Sequence, residues 1–272
     1  MLARWVTRAY LAYLALPIVL LVTGSLGALW LNTLLPTGFT GRWYAEVLAD
    51  TSFRRAFVSS LVVAGSTAAV CLAAGLPLAW GVYRSPDPRV RAIVRILTQL
   101  PVALPALVLA FGFVLVFSSD TLPWLGSRSL LVAGHVIVCL PYFLHTVLSD
   151  MRRLGLHTLE DAAESLGSNR WQRFVFIVLP ASRHSVLAGL IVVVALSIGE
   201  FQFSNLVAGF LNRTYPIVLL QAFYGATGFA CAATVILLVL AILASGLGAF
   251  AAGARRGGGI GGPPANVAVP GT

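Results

Sequence analysis

Phe57–Val82 reads FVSSLVVAGSTAAVCLAAGLPLAWGV, a run without a charged side chain. At 1.5 Å per residue a helix of this length covers ~39 Å, more than the ~30 Å hydrocarbon core of a bilayer. The run is too long for a strand and too apolar for one face of a soluble helix, so it reads as a membrane span. Five further segments have the same character: Ala9–Leu31, Val94–Phe117, Leu130–Leu148, Ser185–Ser204 and Phe229–Ala251. The third span of the six carries Gln99, Pro101 and Pro105 near its start, and those prolines predict a kink or a broken first turn.

Composition agrees. Of 272 residues 58% are hydrophobic and 10% charged, with a mean hydropathy of +0.91, whereas a soluble domain carries roughly a quarter charged residues. The fold class is therefore all-α, a polytopic membrane protein with six transmembrane helices. The net charge of +9 comes from 18 arginines and no lysine, scattered through short loops rather than set in a basic stripe, and this argues against nucleic acid as a partner. Cys71, Cys139 and Cys231 each lie inside an apolar run and read as small buried hydrophobes, with neither a disulfide framework nor a metal site. The first run follows Arg4 and Arg8 as a signal peptide would, but it shows no evident small-residue cleavage site and reads as a retained anchor.

Orientation follows from the arginines. With the N-terminus in the cytoplasm, thirteen of the 18 fall on the inner side and Arg42, Arg54, Arg55, Arg128 and Arg213 outside, which favours cytoplasmic N- and C-termini. The chain then divides into a cytoplasmic N-terminus (1–8), a six-span domain (9–252) with one long cytoplasmic loop (149–184), and a Gly/Pro-rich tail (253–272) without periodic pattern that reads as disordered. Trp30, Trp43, Tyr44 and Trp124 suit an interfacial belt on the outer side, and Trp43–Leu48 suits a short surface helix there.

The long loop holds four of the nine acids, Asp150, Glu160, Asp161 and Glu164. Thr158 can cap a first short helix, with Asp161 three residues later completing a capping box. Leu159, Ala162, Ala163 and Leu166 fall on one face of it, and Gly167 is placed to stop it in a left-handed conformation. Asn169 and Gln172 can cap a second helix bearing Trp171, Phe174, Val175 and Ile177, and Pro180 closes the segment. These residues alone fit two readings: an amphipathic segment resting on the membrane, or a small-faced helix displayed for docking.

A resemblance separates the two. Asp161-Ala162-Ala163, Gly167 and Ile177-Val178-Leu179-Pro180 resemble the EAA loop of binding-protein-dependent ABC permeases: E-A-A, a Gly four residues after the last Ala, and I-x-L-P ten residues on. Asp161 stands where that family usually has Glu, with Glu160 beside it. The resemblance implies a type I ABC importer permease fold in the bacterial cytoplasmic (inner) membrane. It also implies an ATPase-coupling role for Glu160, Asp161, Ala162, Ala163, Glu164, Gly167, Arg170, Trp171, Ile177, Leu179 and Pro180. Implied partners are two ABC ATPase subunits, a second permease (a copy or a different chain), an extracytoplasmic solute-binding protein and membrane lipid. Independently, a P-loop needs a Lys, and this chain has none, so ATP would be used by a partner ATPase; no cofactor is expected on this chain, and no catalytic residue or metal ligand stands out.

An ionisable group inside a span is a functional-site hypothesis by default. Glu200 is the leading one, either a pathway residue with Gln202 and Asn205 nearby or a polar residue at a helix end, and Gln99 either shapes a cavity or lies at a kink. His135 and His145 of the fourth span read as hydrogen-bonded to neighbouring helices, and Gly189 and Gly199 as packing positions. Gly199-Glu200-Phe201 is similar to permeases of polyamine, 2-aminoethylphosphonate, ferric-iron, thiamine and sulfate/molybdate importers. The layout most resembles the second permease of polyamine or 2-aminoethylphosphonate systems. The alternative is a secondary transporter coupled to protons through Glu200, His135 or His145.

Overall fold

A computed structural model describes residues 2–29 and 36–253. In chain order the elements are α1 (Leu2–Leu26), β1 (Gly27–Leu29), β2 (Thr37–Phe39), α2 (Arg42–Ala49), α3 (Thr51–Val70), α4 (Leu76–Arg84), α5 (Pro88–Ala103) and α6 (Ala106–Phe117). Then come α7 (Arg128–Arg153), α8 (Leu156–Ser165), α9 (Arg170–Arg173), α10 (Leu179–Gly199), α11 (Gln202–Val207), α12 (Tyr215–Gly225) and α13 (Thr227–Gly253). Single π-helical turns join α3 to α4 (Cys71–Gly75) and α9 to α10 (Phe174–Val178). The chain divides into two compact units, Met1–Val47 with Ala226–Thr272, and Leu48–Gly225.

In the first unit α1 packs against α13. The first apolar run is helical from Leu2 and ends at Leu26, earlier than its expected end at Leu31, because Gly27 leaves the helix to pair with Phe39 in an antiparallel hairpin. The hairpin is pinned from α2: Trp43 donates its indole N–H to the Gly27 carbonyl at 2.8 Å, and the Tyr44 hydroxyl lies 2.6 Å from Ser25 Oγ. Gly228 must be glycine here, since a Cβ would sit 2.5 Å from the Trp43 Nε1. The short helix expected at Trp43–Leu48 is therefore present, and its aromatics serve as anchors within this unit. Trp30, Leu31, the arginines at 255 and 256 and the tail from 254 lie outside the described residues.

The second unit is built on three long helices: Thr51–Arg84 (α3 and α4), α7 and α10. Asp50 caps the first, accepting from the backbone N–H groups of Ser52 and Phe53 at 2.8 and 3.0 Å. Cys71, Ala79, Phe143, Val147, Val178 and Val193 form their shared core, each almost wholly buried. Gly75 and Gly189 let Phe143 in: a Cβ on either would come within 2.9 Å of its ring. A second cluster, with Val63, Ala110, Leu131 and Phe203, lies towards α6 and α11. There a Cβ on Gly134 would run into the Phe203 ring.

Several expectations need correction. The third span is two helices, α5 and α6, meeting at 98°. Pro101 stays inside α5 while the break falls at Leu104–Pro105. Proline disfavours the helical region for the residue before it, and Leu104 accordingly has φ −86° and ψ 134°. The fifth span does not run on to Ser204: its helix is continuous from Arg170 through α9 to Gly199, and Glu200 is extended (φ −72°, ψ 119°). Pro180 therefore does not close the loop segment. It stands just after the π turn, inside a helix that runs on through it. Gly199 has no neighbour a Cβ would meet, so the packing role expected of it is not seen, whereas Gly189 has one. Among the described residues four helices are long and apolar enough to cross a membrane, or five if the bent pair is one span; the apolar stretch Thr227–Ile242 of α13 is shorter.

Candidate functional site

The stretch joining α7 to α10 holds α8, and its local geometry follows from a few residues. Gly155 takes a left-handed conformation (φ 59°) that turns the chain off α7. Thr158 does not cap α8: the helix already begins at Leu156, and the Thr158 N–H bonds to the Gly155 carbonyl at 3.1 Å. Burial of Leu156 in the core of the second unit fixes that start. The far end follows the expectation. Gly167 has φ 82°, its N–H bonds to the Glu164 carbonyl at 2.9 Å, and the Ser168 N–H reaches Ala163 at 3.1 Å, a Schellman stop. Asn169 and Gln172 then form a reciprocal capping box at the start of α9.

Leu156, Glu160 and Glu164, four residues apart, make one stripe of α8: Leu156 and Glu160 are buried, and Glu164 at its far end is exposed but paired. Glu160, only 2% exposed, accepts from the Trp80 indole at 2.8 Å and lies 3.5 Å from the Arg84 guanidinium. Glu164 pairs with Arg84 at 3.8 Å and with the buried Arg173. Tyr83 completes the seat, its ring stacked 4.3 Å from that of His157 and its hydroxyl accepting from the His157 N–H. A carboxylate in apolar surroundings is costly unless paired, so these partners hold α8 against α4.

The outward stripe has no partner among the described residues. Leu159 and Leu166 are exposed, Leu166 to 89%, with Asp161 and Ala162 exposed beside them and Ala163 half-buried. Ala163, Leu166, Gly167, Gln172, Phe176 and Ile177 line a shallow cleft of about 430 Å³. Arg170 and Trp171 are exposed at its flank, Trp171 to 71%. The Trp171 ring stacks on Phe174, which packs on Trp80 (centroids 5.9 and 5.1 Å), so an aromatic column runs from the exposed surface to α4. Leu179 and Pro180 are exposed further along. Of the residues singled out from the sequence, Asp161, Ala162, Ala163, Gly167, Arg170, Trp171 and Ile177 thus gather at or beside one face, while Glu160 and Glu164 belong to its support. Tyr83, Trp80, Arg84 and Arg173 escaped the sequence reading. Arg84 and Arg173 counted there only as topology charges, although a buried acid such as Glu160 requires a partner.

The other candidates lie apart. Glu200 accepts from the N–H groups of Phe203 and Ser204 at 2.8 and 2.9 Å and from the Ser204 hydroxyl at 2.9 Å, capping α11. Buried His135 bridges Ser197 Oγ (2.7 Å) and Ser204 Oγ (2.9 Å), with its Nε2 4.0 Å from the Glu200 carboxylate. It therefore ties α7 to both sides of the α10–α11 break. Gln202 and Asn205 are exposed on α11. Gln99 and His145 line a different cleft, between α5 and α7.

A family described as "Binding-protein-dependent transport system inner membrane component" matches residues 72–254. The chain is 28% identical over 189 residues to the spermidine/putrescine transport system permease protein PotB of Salmonella typhimurium, covering 64% of this chain and 65% of PotB. It is 29% identical over 244 residues to the PotC permease protein of the same kind of system from Escherichia coli, covering 86% of this chain and 88% of PotC. Among solved structures it is similar to a bacterial ABC transporter involved in the import of the acidic polysaccharide alginate (TM-score 0.64, 16% identity, 90% of this chain and 94% of that one). At that identity the likeness speaks to the fold alone.

Proposed function

This chain belongs to the family of binding-protein-dependent transport system inner membrane components, and from that membership we propose that it is the translocating subunit of an ATP-driven importer driven through α8. The observation that carries the reading is the two-sided construction of α8. Its inner stripe is clamped to α4 through Glu160, Trp80 and Arg84, while its outer stripe leaves Leu159 and Leu166 exposed beside a small-residue cleft. A partner pressing on the outer stripe displaces the end of a transmembrane helix rather than a slack loop. Asp161, Ala162, Ala163 and Gly167 meet the partner, with Arg170 and Trp171 at the rim; Ile177, Leu179 and Pro180 carry the motion into α10.

The motor is a separate ATPase, two copies to a complex, since a chain without lysine lacks the P-loop side chain that binds nucleotide phosphates. The complex also contains a second permease and an extracytoplasmic binding protein. The bent α5–α6 pair and α13 each complete a crossing, giving six spans with both termini in the cytoplasm, as the arginine bias favours. Because PotB and PotC are named for spermidine and putrescine, a polyamine is the first solute to test, and 2-aminoethylphosphonate the second. Glu200 keeps the α10–α11 break in shape, with Gln202 and Asn205 nearer the solute's route.

The test is uptake into proteoliposomes holding the chain with its partner permease and ATPase. Uptake requires ATP inside and the binding protein outside. Ala163→Trp or Gly167→Trp weakens ATPase docking by about 2 kcal/mol, some thirtyfold, and abolishes uptake while the chain still inserts. Uptake by the chain alone on a proton gradient would instead establish the secondary-transport alternative, for which the buried His135–Glu200 contact is the available proton site.

A further inference from the structure

Two adjoining clefts of about 680 and 660 Å³ share four lining residues: Val82, Arg91, Arg95 and Arg152. Arg91 and Arg95 are one turn apart on α5 and so share a face, and Arg152 comes from the last turn of α7. Among the described residues none of the three has a carboxylate within ion-pair distance, whereas Arg84, Arg153 and Arg173 each do. Three like charges converging without a counter-charge repel one another, and an anion at that point removes the penalty. Away from the arginines one wall of the larger cleft is apolar, with Val102, Leu144, Leu148 and Val192, while Thr98, Gln99, His145 and Ser149 line it too. Val102 and Val192 of this wall are exposed, and α5 buries none of its own residues.

We propose that this cleft holds an anionic phospholipid, its phosphate on Arg91, Arg95 and Arg152 and an acyl chain along the apolar wall. Both parts of the ligand are needed to account for the site. A free phosphate would be held by the guanidinium forks but has no use for the wall, and an uncharged lipid would leave the arginines unpaired. The dimension agrees: Arg91 to Val102 is eleven residues of α5, ~16 Å along the helix, close to the ~15 Å depth of one leaflet of a bilayer with a ~30 Å core. The inference depends on the chain lying in a membrane and is independent of the coupling role of α8.

The test uses the purified full chain in detergent, with dioleoylphosphatidylglycerol, dioleoylphosphatidylcholine and inorganic phosphate as probes. Bound lipid is read by native mass spectrometry, and thermal unfolding gives a second readout. Phosphatidylglycerol should bind and raise the unfolding midpoint, with the other two probes inert. At about fivefold per arginine, Arg91→Gln, Arg95→Gln and Arg152→Gln together should weaken binding about a hundredfold. Arg4→Gln, Arg89→Gln and Arg183→Gln, which remove the same total charge elsewhere, should leave it unchanged. If the triple variant cannot be purified, Arg152→Gln alone should cost about fivefold. Equal binding of phosphatidylcholine, equal stabilisation by phosphate, or full lipid binding by the arginine variants would each overturn the proposal.

Discussion

Glu160 and Glu200 are two carboxylates set among apolar segments, and in each the charge is taken up by neighbours rather than left to a solute. Glu200 satisfies two backbone N–H groups and a hydroxyl at the start of α11. Removing a capping side chain costs about 1 kcal/mol, in a range of about 0.5–2, so Glu200→Ala should lower the thermal unfolding midpoint. Glu200→Gln keeps an acceptor oxygen and should lose less than half as much while transport persists. Abolished transport in Glu200→Gln at an unchanged midpoint would give the residue a role in the solute's route. The sequence located Glu200 as a polar residue at a helix end or in a pathway but could not choose. The choice depends on where α10 stops, and Gly199-Glu200-Phe201 contains no proline or strong cap to mark that stop.

At the scale of an element, α8 is held as a rigid lever. Glu160→Ala leaves Trp80 and Arg84 facing an apolar gap, while Arg84 keeps contact with Glu164 and some solvent. The loss should therefore be about 1–3 kcal/mol, short of unfolding the protein. The functional effect should be larger: uptake falls while the ATPase still binds, because the outer face survives and its anchorage does not. Uptake at wild-type level would refute the lever. The C-terminal stop and the α9 cap were legible because each is written locally, in Gly167 alone in one case and in Asn169 with Gln172 three residues on in the other. The start was not, because the local capping signal at Thr158 competed with burial of Leu156 in the core, and a contact distant in sequence won. The continuity of α9 with α10 was hidden for a similar reason. Pro180 looks like a stop, yet a π turn ends just before it, with the Leu179 N–H bonded to the Phe174 carbonyl, so the ring meets no standard helical turn.

Across the whole chain the apolar runs were legible, since a stretch such as Phe57–Val82 has no soluble alternative. The prolines announced an interruption in the third span, though not its 98° angle; the hairpin after Leu26 and the extended Glu200 had no such signal. Each is set by one or two residues and by the packing around them, below the resolution of a hydropathy pattern. The central claim is that the exposed face of α8 is where a separate ATPase pushes. The most direct test is a Leu166→Cys variant in inner-membrane vesicles with the ATPase co-expressed, treated with a short bifunctional thiol reagent. A covalent adduct between the two chains should form, its yield should change on adding ATP, and a cysteine at exposed Leu115 on α6 should give none. Active uptake with no adduct at position 166, with or without nucleotide, would contradict the account.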